Sequence, residues 1–352
     1  MKFNMNEVLN GTNFAKNSDF IFSEIISRNH FIDLKRKNPD LLILREYKYL
    51  KIDAIWYINP ILELKENDVI FSHTEVVEIL FKYLNNFYQF NNLKLITHQS
   101  DKSVDKYLFA KKPNNISQWY STNVNYRDPS LFSIPIGVNN FFNVNFFNDT
   151  IQDKFFNSSS IIDRDNKVYV NFTLDTNTKH RKQAIKHAEL MDKNYTLIDM
   201  TKDSHNYFMN ISKSKYTLAP WGNGIDTHRF WEALYLGSCP VTVKHKNYSD
   251  FKNLPAIFLN DYSELNYPFL EKQYEKFHPS DIELLNINYW FNKIRSVYVS
   301  DSDMQKINFT EDLKSDISFH KLKIKFISLR KIVKYLIKKY TNPNNYYKYL
   351  TK

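Results

Sequence analysis

The chain has 352 residues, 43% hydrophobic and 24% charged, which is about two domains of ordinary globular composition and excludes wholesale disorder. Its one cysteine, Cys239, excludes a disulfide framework and any cysteine-based zinc site, and no stretch reaches the roughly 18–20 apolar residues of a membrane span. The net charge of +10 sits at one end: positions 314–352 hold eleven basic residues and one acidic residue, Asp316, leaving 37 of each sign in positions 1–313.

The N-terminal stretch MKFNMNEVLNGTNFAKNSDF lacks the apolar core of a signal peptide, so a cytoplasmic protein is expected. DVIFSH (68–73) reads as a strand and TEVVEILFKYLNNF (74–87) as the helix after it. LKLITHQSD (93–101) reads as a strand running into a polar loop, and LFSIPIGV (131–138) as a further strand end. This alternation predicts an α/β domain on a mostly parallel sheet. The polar FNSSSIIDRDN (156–166) suits a linker, and KVYVNF (167–172) opens a second α/β unit. Its first helix includes Arg181 through Met191, and YTLIDM (195–200) is another strand. The division is therefore 1–155, 156–313 and a basic helical tail, 314–352. In the tail, Leu322, Phe326, Leu329, Val333, Leu336 and Tyr340 recur at helical spacing, with Lys323, Arg330, Lys334 and Lys338 elsewhere on the helix. A basic amphipathic helix fits either packing on the body or docking on an anionic membrane surface. A neutral body argues against nucleic acid as a partner.

The most informative segment is KYTLAPWGNGIDTHRFWEALYLGSCPVTV (215–243), which holds three of the five glycines. It reads as a strand, a sharp loop carrying Gly222, Asn223 and Gly224, a helix capped by Asp226, a left-handed end at Gly237, and a strand opening at Pro240. Glycines let backbone approach a ligand closely, and a helix start offers free N–H groups to phosphate. Arg229 can pair with phosphate oxygens, Glu232 can accept from ribose hydroxyls, and His228 can donate to a phosphate or sugar oxygen. The plain alternative is a tight turn, a capping Asp226 and an Arg229–Glu232 surface pair. The loop is neither GKS/GKT nor GxGxxG, which weakens ATPase and NAD-dependent readings.

APWGNGIDTHRFWEALYLGSCPV resembles the donor-site segment of exostosin-type glycosyltransferases and their bacterial and viral relatives. LITHQSD (95–101), WYSTNVNYRDPSLFSIPIGV (119–138) and NFTLDTNTKHR (171–181) resemble further blocks of that family, in matching order. The resemblance implies a GT-B fold: two facing Rossmann-like domains, the acceptor largely on the first and a nucleotide-sugar on the second. It favours a UDP-sugar; a GDP-sugar, as in fucosyltransferase-like families, is the alternative, and a non-catalytic binder of glycans or anionic surfaces is a third.

Glycosyl transfer builds negative charge on a leaving diphosphate, which fixed positive groups or a metal must stabilise. GT-B enzymes generally use the former, so no metal and no cofactor beyond the nucleotide-sugar are expected; the groups on offer are the 222–226 loop, the helix start, Arg229 and Arg181. A surface ion pair is the competing role for Arg181. The Asp-x-Asp stretches, DRD (163–165) and DSD (301–303), are weak metal candidates. An inverting reaction also needs a general base. Of His73, Glu75, His98 and Asp101, Asp101 is preferred and His98 follows; the competing roles are a helix cap for Asp101 and a buried hydrogen bond for His98. Tyr126 and Arg127 are candidates for an acceptor cleft, a plain turn being the alternative. The acceptor class is a glycan, polysaccharide or glycolipid, and the tail suggests an inner-membrane face.

Overall fold

The computed structural model describes residues 6–49, 52–139, 164–251, 253–276, 282–300 and 302–322. The protein is a mixed α/β structure with a seven-stranded and a five-stranded sheet. The first half contributes β1 (Phe20–Ser27), β2 (Leu42–Tyr49), β3 (Ile52–Ile58), β4 (Ile61–Leu64), β5 (Val69–His73), β6 (Leu93–His98), β7 (Ile116–Ser121) and β8 (Leu131–Ser133). Seven of these form the large sheet, in the order β2-β3-β1-β5-β6-β7-β8. From β1 to β8 the pairing is parallel, while β2 and β3 add an antiparallel edge. Every residue of β5 and β6 is buried, as expected of parallel strands covered on both faces. Edge strand β2 instead carries Arg45, Glu46 and Lys48, charges that discourage pairing with another chain.

The second sheet uses β9 (Asp165–Val170), β10 (Thr196–Ile198), β11 (Ser214–Leu218), β12 (Cys239–Val243) and β13 (Ile257–Leu259), all parallel, in the order β10-β9-β11-β12-β13. Helices Thr178–Glu189, Ser204–Lys213 and His228–Tyr235 make the crossovers. The last is amphipathic with an unusually wide apolar face: Phe230, Trp231, Ala233 and Leu234 are buried. It ends at Gly237, whose φ of +73° is the left-handed turn expected there.

The two units share one apolar cluster, with Phe14, Phe71 and Ile96 from the first half and Phe230, Trp231, Phe251 and Trp290 from the second. Hydrogen bonds reinforce it: Tyr235 Oη accepts from Leu9 N–H at 2.8 Å, and Asn247 Oδ1 from Val124 N–H at 2.7 Å.

Two expectations need amendment. The helix expected over 74–87 is a 3₁₀ turn at Thr74–Val76 followed by a shorter helix, Val77–Leu84. The 313/314 boundary does not mark a structural break. After helix Ile287–Ile294 the chain returns to the first unit, where β14 (Gln305–Asn308) pairs antiparallel with β4. A helix at 310–322 then buries Leu313 and Ile317 in the first unit's core, and Asp316 binds Lys82 and Tyr83. Residues 305–313 thus belong with the first sheet rather than the second domain. The tail positions from Lys323 onward and most of the expected linker, 156–163, lie outside the described residues. Among the described residues no helix is long and apolar enough to cross a membrane.

Candidate functional site

Ligands in parallel α/β sheets bind beyond the carboxyl ends of strands, where loops from neighbouring strands converge. Here a hollow of about 380 Å³ lies at those ends, between the two units. The first unit supplies Asp101 after β6, and Ile136 and Asn139 after β8. The second supplies Thr176 and Arg181 after β9, Tyr207, and, after β11, Gly222–Gly224, Asp226–Arg229 and Glu232.

Two guanidinium groups dominate it. Arg181 is buried, and its partners are neutral oxygens: Trp221 O at 3.2 Å, Thr173 O at 2.6 Å and Thr173 Oγ1 at 3.2 Å. Burial and the neighbouring Arg229 lower its pKa to about 10, which leaves it charged at neutral pH. The ion pair considered for Arg181 is therefore replaced by carbonyl contacts. Arg229 lies over the rings of Phe172, at 5.9 Å, and Tyr207, at 5.8 Å, and its buried Nε has no hydrogen-bond partner among the described residues. Thr176 Oγ1 and Thr227 Oγ1 are likewise buried and without a partner among the described residues. Buried polar groups are normally hydrogen-bonded, so a cluster of bare ones in one hollow points to a ligand that satisfies them.

The loop works differently from the expectation. Neither Gly222 nor Gly224 has positive φ. Gly222 leaves room for Arg181, since a Cβ would stand 3.0 Å from Nη2. Gly224 leaves room for Asn123 of the first unit, whose Oδ1 would be 2.8 Å from such a Cβ. Asn123 Oδ1 accepts from Asp226 N–H at 2.9 Å, and its Nδ2 donates to Ser100 O at 3.0 Å. Gly224 thus serves the seam between the units. Asp226 does so too, and is not the helix cap. Thr227 occupies the cap position, and Asp226 accepts from Ile136 N–H across the seam at 2.9 Å, from Thr227 N–H and from Trp231 Nε1. Burial pushes its pKa up to about 7, against the pull of those donors.

Glu232 is buried and accepts from Tyr207 Oη at 2.7 Å, so it is no surface partner of Arg229. His228 lines the hollow, with Nδ1 2.7 Å from Gly137 O of the first unit. Asn223 is exposed at the rim. Asp101 is also exposed there; the helix that follows it is capped by Asp105 instead. His98 is not brought to the hollow. Its Nδ1 accepts from Gln99 N–H at 2.7 Å and its Nε2 lies 3.1 Å from Pro135 O, so both nitrogens are committed to backbone. Burial drops its pKa to about 3, as it does for His73, whose ring lies tilted against Trp56 with centroids 4.2 Å apart. Neither is a base available to a substrate. Tyr126 and Arg127 line a separate hollow with Lys246 and Asp250. Asp163 of DRD and Asp301 of DSD lie outside the described residues.

Sequence reasoning missed Asn123, Tyr207, Thr176 and Thr227. Asn123 had one legible signal, its place in the STNVNYRDP block. Tyr207 had none, because only the packing of helix Ser204–Lys213 brings it beside Glu232.

No family model matches this chain, and no curated protein does. Among solved structures it is similar to one titled "Crystal structure of GtfA/B complex", at 10% identity and a TM-score of 0.31, over 66% of this chain and 58% of that one. The chain thus spans less than two thirds of that neighbour's length. A likeness of this size assigns neither family nor activity.

Proposed function

We propose that this protein is a glycosyltransferase that holds a nucleotide-diphosphate sugar in the hollow between its two units, in a GT-B arrangement of the exostosin-like kind. The observation that carries the reading is the pair Arg181 and Arg229, whose contacts among the described residues include no carboxylate, beside the hydroxyls of Thr176 and Thr227, which have no partner there either. Two guanidinium groups without a direct carboxylate contact among the described residues, in a half-buried site, favour a ligand with two negative charges close together, as a diphosphate has. The helix start at His228 adds its positive dipole end. These groups stabilise the charge that grows on the leaving diphosphate without a metal, each worth about 2–4 kcal/mol on the barrier. In this reading Glu232, which lines the hollow and accepts from Tyr207 Oη, accepts from ribose hydroxyls as well. The sequence resemblance favours UDP over GDP, and a glycan, polysaccharide or glycolipid as acceptor. The eleven basic residues of 314–352 suit peripheral docking on an anionic membrane face.

Thermal shifts with UDP, GDP, CMP, ADP and dTDP, with and without magnesium, test this. A ligand at a hundred times its Kd adds about 2.7 kcal/mol of stability. UDP or GDP should stabilise without magnesium, and Arg229→Ala or Glu232→Ala should weaken the effect. Silence across the panel refutes the proposal.

A further inference from the structure

We infer that His228 is the general base of this site, taking the acceptor's hydroxyl proton on Nε2; the inference rests on the glycosyltransferase reading above. Nδ1 lies 2.7 Å from Gly137 O. A carbonyl oxygen only accepts, so the hydrogen of that bond belongs to Nδ1. A neutral imidazole has one N–H, and Nε2 therefore carries a lone pair. This reverses the donor role that the sequence suggested for His228.

The orienting carbonyl is itself fixed. Gly137 holds a φ of +66°, and a Cβ there would stand 2.0 Å from Leu9 O. Val138 N–H donates to that same Leu9 O at 2.9 Å. A base whose far nitrogen is held by a rigid acceptor is restricted in both tautomer and direction, which is how catalytic imidazoles are prepared. His228 also stands where the roles meet. It shares the hollow with Arg181 and Arg229 on the diphosphate side, and with Asp101, Ile136 and Asn139 of the first unit on the acceptor side. Asp101, the rival, is exposed, and among the described residues no hydrogen bond orients its carboxylate.

In the step, the acceptor hydroxyl passes its proton to Nε2 while its oxygen bonds to the anomeric carbon of the sugar. The bond from that carbon to the diphosphate oxygen breaks, and the diphosphate leaves with the electron pair toward Arg181 and Arg229. The imidazolium then returns its proton to water. The sugar is transferred with inversion.

The test compares wild type, His228→Gln and Asp101→Asn at about pH 8, above the ordinary imidazole range. Three quantities are read: binding of UDP and GDP, nucleotide release from a panel of UDP- and GDP-sugars with water as acceptor, and the protonated ring nitrogen of His228 by ¹⁵N NMR. His228→Gln should bind nucleotide within about 3-fold of wild type and keep the donor KM, while release slows about 10²–10⁴-fold. The NMR signal should place the hydrogen on Nδ1. A hydrogen on Nε2, or full release by His228→Gln, overturns the assignment. Collapse of release in Asp101→Asn alone hands the role to Asp101. Wild type that binds no nucleotide sinks the parent reading and the base with it; wild type that binds while His228→Gln turns over normally sinks the base alone.

Discussion

Replacing Gly224 by alanine should strain the seam between the two units. The new methyl would stand 2.8 Å from Asn123 Oδ1 and 2.9 Å from Nδ2, closer than carbon and a polar atom can rest. Asn123 cannot swing aside freely, because it bonds Asp226 N–H and Ser100 O and is fully buried. Overpacking of this kind costs about 1–3 kcal/mol, and an orphaned buried N–H about 1–3 kcal/mol, so a total of about 2–6 kcal/mol is expected. The cost should depend on Asn123. Its backbone is left-handed, φ +57°, a conformation glycine adopts easily, so Asn123→Gly removes the side chain without opposing the main chain. In that background Gly224→Ala should cost less than about 1 kcal/mol, a coupling that a double-mutant cycle in urea measures directly. Equal penalties in both backgrounds, or a penalty below about 0.5 kcal/mol alone, would show that the two residues do not meet as described.

Arg181→Gln should weaken UDP or GDP binding by about 1.5–3 kcal/mol, roughly 10–100-fold, read by calorimetry; unchanged affinity would detach Arg181 from the phosphate role. Burial raises the Glu24 pKa to about 8, so the folded chain keeps a proton that the unfolded chain releases near 4. Stability therefore falls as pH rises through that window. Between pH 6.5 and 8, where unfolded-state histidines are largely neutral, the fall from Glu24 is about 2 kcal/mol; Glu24→Gln should remove it, and an unchanged pH slope would refute the assignment. Deleting 323–352 should leave nucleotide binding intact and abolish adsorption to anionic vesicles, whereas deleting 305–352 strips Phe309, Leu313 and Ile317 from the first unit's core. The longer deletion should destabilise by several kcal/mol, at about 2–5 kcal/mol per lost core side chain, and equal stability of the two truncations would contradict the return of the chain.

Local pattern was enough to read many of the elements. The apolar runs 68–73 and 93–98, and the strand, loop, helix and left-handed glycine of 215–243, follow from short-range sterics and burial, which the residues themselves encode. The sequence also singled out Gly222, Asp226, His228, Arg229 and Glu232, because a glycine-rich bend before a helix start is itself a local object. What it could not decide was what each side chain faces. Gly224 and Asp226 looked like ligand loop and helix cap, but both serve Asn123 and Ile136, about 100 residues away in the chain and adjacent only once the two sheets pack. His98 looked like a candidate base until folding gave both its nitrogens to backbone, and His228 looked like a ligand donor until folding set its Nδ1 against the Gly137 carbonyl of the first unit. The return of 305–322 to the first unit was hidden for the same reason: a strand's pattern says which face is buried, and only the assembled fold supplies its partner.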